Sequence, residues 1–206
     1  MSPRPYRLGR RREAAEETRA RIIAAARELL SASGGVSGFT IDSVARQAGV
    51  ARMTVYHQFG SKQGLLEALF DSLAASGGME HLADAFRRPD PLEALDAFIA
   101  AFGRFWASER LIHRRLHGLA AIDPEFEPAW RARQGRRREG LRVLVGRLLK
   151  RRGRPSLKAI VRGVDVLYAL TSFEMFDTLA GDAGSPEQVT PVVQRLARAA
   201  LGAEKG

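Results

Sequence analysis

The sequence predicts an all-α chain of two parts. Apolar residues recur at spacings of three and four along most of its length. No stretch alternates apolar and polar residues as a half-buried strand would. The breaks between periodic stretches carry Gly, Pro and Ser, the usual punctuation of helix ends.

In order along the chain, residues 1–15 read as a basic, flexible tail containing two prolines and a glycine. A helix is expected from about Glu16 to Ser33, with Ile22, Ile23, Ala26, Leu29 and Leu30 as its apolar stripe and Gly34-Gly35 as its stop. Thr40 suits the N-cap of a helix over Ile41–Ala48. A third helix spans Arg52–Phe59 and is broken by Gly60-Ser61. Ser61 can cap a fourth, from Lys62 to about Ser76, where Gly77-Gly78 ends the first domain, 16–76. The second domain, 77–206, starts a helix at Pro91, with Leu92, Leu95, Phe98, Ile99, Phe102 and Phe105 at helical spacing. Helices over Arg110–Ala121, Pro128–Arg152 and Ser156–Leu179 follow, and a last one opens at Ser185 or at Thr190-Pro191.

The block 40–59 carries the chemistry. Ala45 is small where a second helix must cross, and Gly49 tolerates the positive φ of a tight turn. Val44, Val50 and Val55 can then point inward together, which is the pattern of a helix-turn-helix. The helix after the turn shows Arg52, Thr54, Tyr56 and His57 outward, all donors to phosphates or base edges. The chain is therefore expected to bind double-stranded DNA.

Composition narrows the alternatives. The chain has 206 residues, 45% of them hydrophobic, enough for a real core. It has no cysteine, so disulfides, thiolate catalysis and cysteine-held zinc are excluded. No apolar run has membrane-span length and no signal peptide is evident, so a cytoplasmic protein is expected. The net charge is +10, and residues 1–12 hold five arginines and no acid. Residues 131–154 hold ten arginines and one lysine against Glu139 alone, a balance of +10. The tail reads either as a solvated end or as an arm for the minor groove. The segment 131–154 reads as a solvated helix face behind a buried stripe of Leu141, Leu144, Val145, Leu148 and Leu149, in preference to a second DNA contact.

The run Thr54-Val55-Tyr56-His57, Phe59, Ser61-Lys62 and Leu65-Leu66, with Ile22–Leu30, Phe39-Thr40-Ile41, Ala45, Gly49 and Val50 before it, resembles the TetR family of bacterial transcriptional repressors. The resemblance covers about residues 16–75. It implies an N-terminal three-helix, helix-turn-helix DNA-binding domain and a C-terminal helical ligand-binding and dimerisation domain. It implies a homodimer, formed through helices 156–179 and 185–201, that binds a palindromic operator and releases it when a small molecule enters the second domain. It also implies roles: Thr40, Tyr56, His57 and Lys62 on phosphates, Arg52 and Thr54 on base edges. Ala51 and Met53 depart from the commoner Ser and Gly, and Met53 can touch a thymine methyl.

Phe102, Phe105, Trp106, Trp130, Tyr168 and Phe173 are candidates to line the ligand pocket, with His113 and His117 beside them. The two histidines lie four apart, a metal-ligand spacing, but lack a third ligand nearby, so no metal and no cofactor is expected. On an unbroken helix 156–179, Asp165 shares a face with Tyr168, Ser172 and Phe176, and Glu174 lies opposite. Two other functions remain open: an all-helical enzyme and a constitutive architectural DNA binder. No nucleophile, metal or phosphate-loop motif supports the first. A large aromatic second domain argues against the second.

Overall fold

The structure, a computed structural model, describes residues 4–32, 35–151 and 153–202. Among these the regular elements are helices, with no strand. They are α1 (Arg4–Ser31), α2 (Ile41–Gln47), α3 (Arg52–Phe59), α4 (Lys62–Ser76), α5 (Leu82–Arg87), α6 (Pro91–Ser108), α7 (Arg110–Ile122), α8 (Glu127–Lys150), α9 (Leu157–Leu170), α10 (Phe173–Ala180) and α11 (Thr190–Ala200). No helix among the described residues is long and apolar enough to cross a membrane.

Two boundaries differ from those the sequence suggests. Helix α1 begins at Arg4 rather than near Glu16. Arg, Glu and Ala dominate residues 10–21 and favour helix, and Arg12 pairs with Glu16 one turn on at 3.0 Å. The single helix expected over 156–179 is two helices. Its break has a local cause: Ser172 takes extended backbone (φ −70°, ψ 156°) and its Oγ accepts from the Met175 N–H. Thr171 Oγ1 turns back to the Leu167 carbonyl, 2.8 Å away. The shared face drawn for Asp165 and Phe176 therefore does not exist, and Asp165 instead pairs with Arg138 at 2.7 Å. Helix α11 starts at Thr190, the second of the two expected starts, and α5 is an element the sequence reading lacks.

The chain divides into two compact units, Met1–Ser72 with Arg114–Ala129, and Leu73–His113 with Trp130–Gly206. In the first unit, Ile22, Leu30, Val44, Leu65, Leu66 and Leu69 are fully buried. Each contributes about 1.5–3 kcal/mol relative to exposure. Gln47 ties α2 to Glu28 of α1 at 2.7 Å, and Arg115 donates to the carbonyls of Leu30, in the last turn of α1, and of Ala32 just after it, where a helix end leaves such groups unpaired. In the second unit, Phe98, Ile99, Leu141, Leu144, Phe176 and Val193 form the centre of a core shared by α6, α8, α10 and α11. Asp90 starts α6 by accepting from the Leu92 and Glu93 N–H groups, with Pro91 in the first helical position.

The Arg-rich segment is largely the exposed face expected behind its buried stripe, with Arg137 and Arg147 turned to structural roles. Arg147 donates to the Phe86, Arg88 and Pro89 carbonyls at the end of α5. Arg151 meets Asp90 at 2.8 Å and Arg142 meets Glu139 at 2.8 Å. Arg137, placed by the sequence on the outer face, is buried. The loop after α10 is held by Arg110, which pairs with Asp177 at 2.5 Å and donates to the Asp177, Gly181 and Gly184 carbonyls.

Candidate nucleic-acid interface and aromatic cluster

The turn between α2 and α3 is built as the sequence requires. Gly49 has φ +64°, Val44 and Val55 are fully buried, and Ala45 is buried where the helices cross. Thr40 caps α2: its Oγ1 accepts from the Ser43 N–H at 3.1 Å, and Ser43 Oγ accepts from the Thr40 N–H at 2.9 Å. Helix α3 has no such cap. Ala51 holds the N-cap position with extended backbone and no side-chain acceptor.

The outward side of α3 carries the expected residues. Arg52, Met53 and His57 are exposed, Thr54 and Tyr56 half-buried. Met53 is 58% exposed, unusual for a large apolar side chain and suited to a hydrophobic contact with DNA. Arg52 is already oriented: Nη1 meets Asp42 at 3.0 Å, Nη2 meets the Tyr56 hydroxyl at 3.3 Å, and the guanidinium lies 5.6 Å from the Tyr56 ring centre. The bond to Tyr56 and the charge of Asp42 hold the Arg52 pKa above its ordinary value.

Lys62 stands elsewhere. Its ammonium is bound by Asp123 at 2.5 Å and Glu125 at 3.4 Å, and only 20% of the side chain is exposed. Burial works against its charge, but the two carboxylates outweigh it and raise the pKa. Asp123 is likewise lowered: burial opposes its charge, and Lys62 together with the Glu125 and Phe126 N–H groups overcomes that.

Four residues that position this surface escaped the sequence reading. Asp42 and Asp123 are partners of the predicted cations. Arg19 of α1 donates to the Gln58 carbonyl at 2.9 Å and lies 4.4 Å from the Phe59 ring centre, fixing the end of α3. Gly64 lets α4 start against α3, since a Cβ there would stand 2.0 Å from the Phe59 carbonyl oxygen. Arg19 and Gln58 are 39 positions apart, and no local pattern links them.

In the second unit, five of the proposed pocket residues meet. Phe102, Phe105, Trp106, His113 and Phe173 form one ring cluster, with His113 4.6 Å from Phe105, 5.0 Å from Trp106 and 5.8 Å from Phe173. His113 is buried and its Nε2 lies 3.1 Å from the Phe105 carbonyl. Trp106 Nε1 donates to the Thr171 carbonyl. Tyr168 sits against Arg137, and Trp130 is half-buried in the same unit. His117 belongs to the other unit. Among the described residues no group of three or more His, Asp or Glu could hold a metal.

Comparison with known proteins places this arrangement. The profile of "Bacterial regulatory proteins, tetR family" matches residues 22–69, the stretch that contains the whole helix-turn-helix. The transcriptional regulator TtgR of Pseudomonas putida is 41% identical over 86 residues, 42% of this chain and 40% of that protein. Residues 22–69 thus match the DNA-binding domain of the TetR family. The chain's matches to such curated relatives span only about 40% of their length. The TetR fold extends over nearly all of it. A TetR-like transcriptional regulator from Rhodococcus sp. RHA1 is 20% identical with a TM-score of 0.66, covering 91% of this chain and 97% of that one. FadR from Bacillus subtilis, solved with stearoyl-CoA, is 17% identical with a TM-score of 0.63, covering 90% and 99%. These likenesses establish the all-helical fold, with an N-terminal helix-turn-helix and a C-terminal helical domain.

Proposed function

We propose that this chain is a dimeric repressor that binds a palindromic operator through α3 and leaves it when a small molecule occupies the second unit. The DNA-binding part is 16–76 and the regulatory part 77–206. The observation that carries the reading is the outward side of α3, where Arg52, Met53 and His57 stand exposed on a helix fixed by Gly49, Arg19 and Gly64. Thr40, Thr54 and Tyr56 would add phosphate or base contacts, and Lys62 would do so once parted from Asp123. The two α3 helices of a dimer would enter successive major grooves about 34–36 Å apart.

A second copy is supported by the outer surface of the helices named for dimerisation. Leu157 and Val161 of α9 and Leu196 of α11 are exposed. Between α8 and α9 runs a groove of about 260 Å³, edged by Arg138, Glu139, Arg142 and Asp165. Apolar residues rimmed by both signs of charge suit a two-fold, self-complementary interface. The aromatic cluster supports ligand binding, and α7, which contributes residues to both units, is the element through which an effector would act. The reading places the protein in the bacterial cytoplasm and gives it no catalytic role.

Selection of bound DNA from a random pool tests this. Sites with dyad symmetry and half-sites one helical turn apart are expected. Selected sites without a dyad would end the dimer-on-palindrome reading.

A further inference from the structure

Arg137 is the least explained charge in the molecule. It lies in the middle of α8 and is 7% exposed. Its Nη1 donates to the Tyr168 carbonyl at 3.0 Å and to Thr171 Oγ1 at 3.1 Å, and its Nη2 to Gln134 Oε1 at 3.0 Å. Its Nε has no partner. The guanidinium lies 4.1 Å from the Tyr168 ring centre and 5.9 Å from that of Phe102.

Every one of those acceptors is neutral. Among the described residues no carboxylate pairs with Arg137: Asp165 is taken by Arg138, and Glu174 acts only through space. Burial, the largest influence, pushes the Arg137 pKa down, against the smaller opposing effects of Tyr168 and Glu174. A guanidinium cannot shed its proton in a protein as a lysine can. A buried cation without an anion costs several kcal/mol. Its hydrogen bonds all run to neutral acceptors, so none of them neutralises the charge. Its surroundings are those of the aromatic cluster. Phe102 packs 5.7 Å from Trp106, and Trp106 and Arg137 both bond to Thr171.

We infer that the effector is an organic acid with an apolar or aromatic body, whose carboxylate pairs with the Arg137 guanidinium while its body lies against Phe102, Trp106 and Tyr168. The inference rests on the reading that the second unit binds a small molecule. Arginine suits a carboxylate because its planar fork can donate two parallel bonds. The unpaired Nε supplies a donor that no protein group now uses.

The test uses the full chain with 2-naphthoate and decanoate as probes, against 2-naphthamide, decanamide and decyltrimethylammonium. Binding is followed by calorimetry, and release from the selected operator by anisotropy. At least one acid should bind about tenfold or more tightly than its amide, the discrimination expected of a charge-assisted hydrogen bond. Arg137→Gln should bring that acid down to about the affinity of the amide while weakening the amide far less. Arg137→Lys should restore part of the preference. A merely structural role would weaken acid and amide alike. Equal binding of acids and amides, tighter binding of the cation, or no binding of either acid overturns the inference. These comparisons are made on the native chain, so they hold even if Arg137→Gln fails to fold. Acid binding without operator release would keep the Arg137 site and sink the ligand-responsive reading. Release by a probe that ignores Arg137 would do the reverse.

Discussion

Replacing Asp123 with Asn removes one negative charge from Lys62 and little else. The Asp123 Oδ1 also accepts from the Glu125 N–H at 2.9 Å, a bond that an Asn oxygen keeps. Breaking a buried ion pair costs about 3–5 kcal/mol and an exposed one about 0–1. The Lys62 and Asp123 side chains retain 20% and 16% exposure, nearer the buried limit. Glu125, 3.4 Å from the same ammonium, remains as a second counter-ion. Asp123→Asn should therefore cost about 2 kcal/mol at pH 7. That lowers Tm by about 4–8 °C in a chain of this size. Urea unfolding followed by circular dichroism measures it. The pH dependence is a second check. Folding lowers the Asp123 pKa below 3.8, so its contribution is complete above that value and fades as pH falls through the folded pKa. Folding raises the Lys62 pKa above 10.5, so its share is intact below 10.5 and is lost only as pH rises through the raised value. The gap between wild type and variant should stay constant from neutral pH to about 10 and close in acid. A cost below about 0.5 kcal/mol, or a gap that persists unchanged in acid, would refute the reasoning. With Glu125 as its remaining counter-ion the ammonium is more available to a phosphate, so the slope of log K against log salt for operator binding should steepen, by at most about 0.9.

Ala51→Ser supplies the missing cap of α3 and should stabilise the protein by about 1 kcal/mol, raising Tm by about 2–4 °C in a thermal melt. Gly64→Ala drives a Cβ into the Phe59 carbonyl and should cost about 1–3 kcal/mol or more by urea titration. Unchanged stability would mean α4 does not start where it is placed. Arg52→Ala should cost about 1–3 kcal/mol of operator affinity and relax sequence preference at one base pair per half-site, measured by repeating the DNA selection. A uniform loss across all sequences would instead put Arg52 on a phosphate.

What the sequence determines by itself is whatever depends on neighbours along the chain. Periodicity gives helices. Gly49, Ala45 and the three valines give the turn, because positive φ, close crossing and inward direction follow from residue type. The bounds of α3 and the outward direction of Arg52 and His57 follow from the same local rules, whereas Thr54 and Tyr56, also expected outward, are half-buried; the resemblance to TetR-family DNA-binding domains follows from the run through Phe59 and Lys62. The break at Ser172 was also written locally, as a serine cap inside an apolar stretch, and helical periodicity masked it. Tertiary structure alone decides which charge meets which. Lys62 is met by Asp123, 61 positions away, and Arg19 caps a carbonyl 39 positions away. Arg137 is drawn inward while Arg138 beside it stays outside with Asp165. An arginine looks the same in the sequence whether it faces water, caps a helix or lies under a tyrosine. Its role is set by the burial and the partners that folding brings to it.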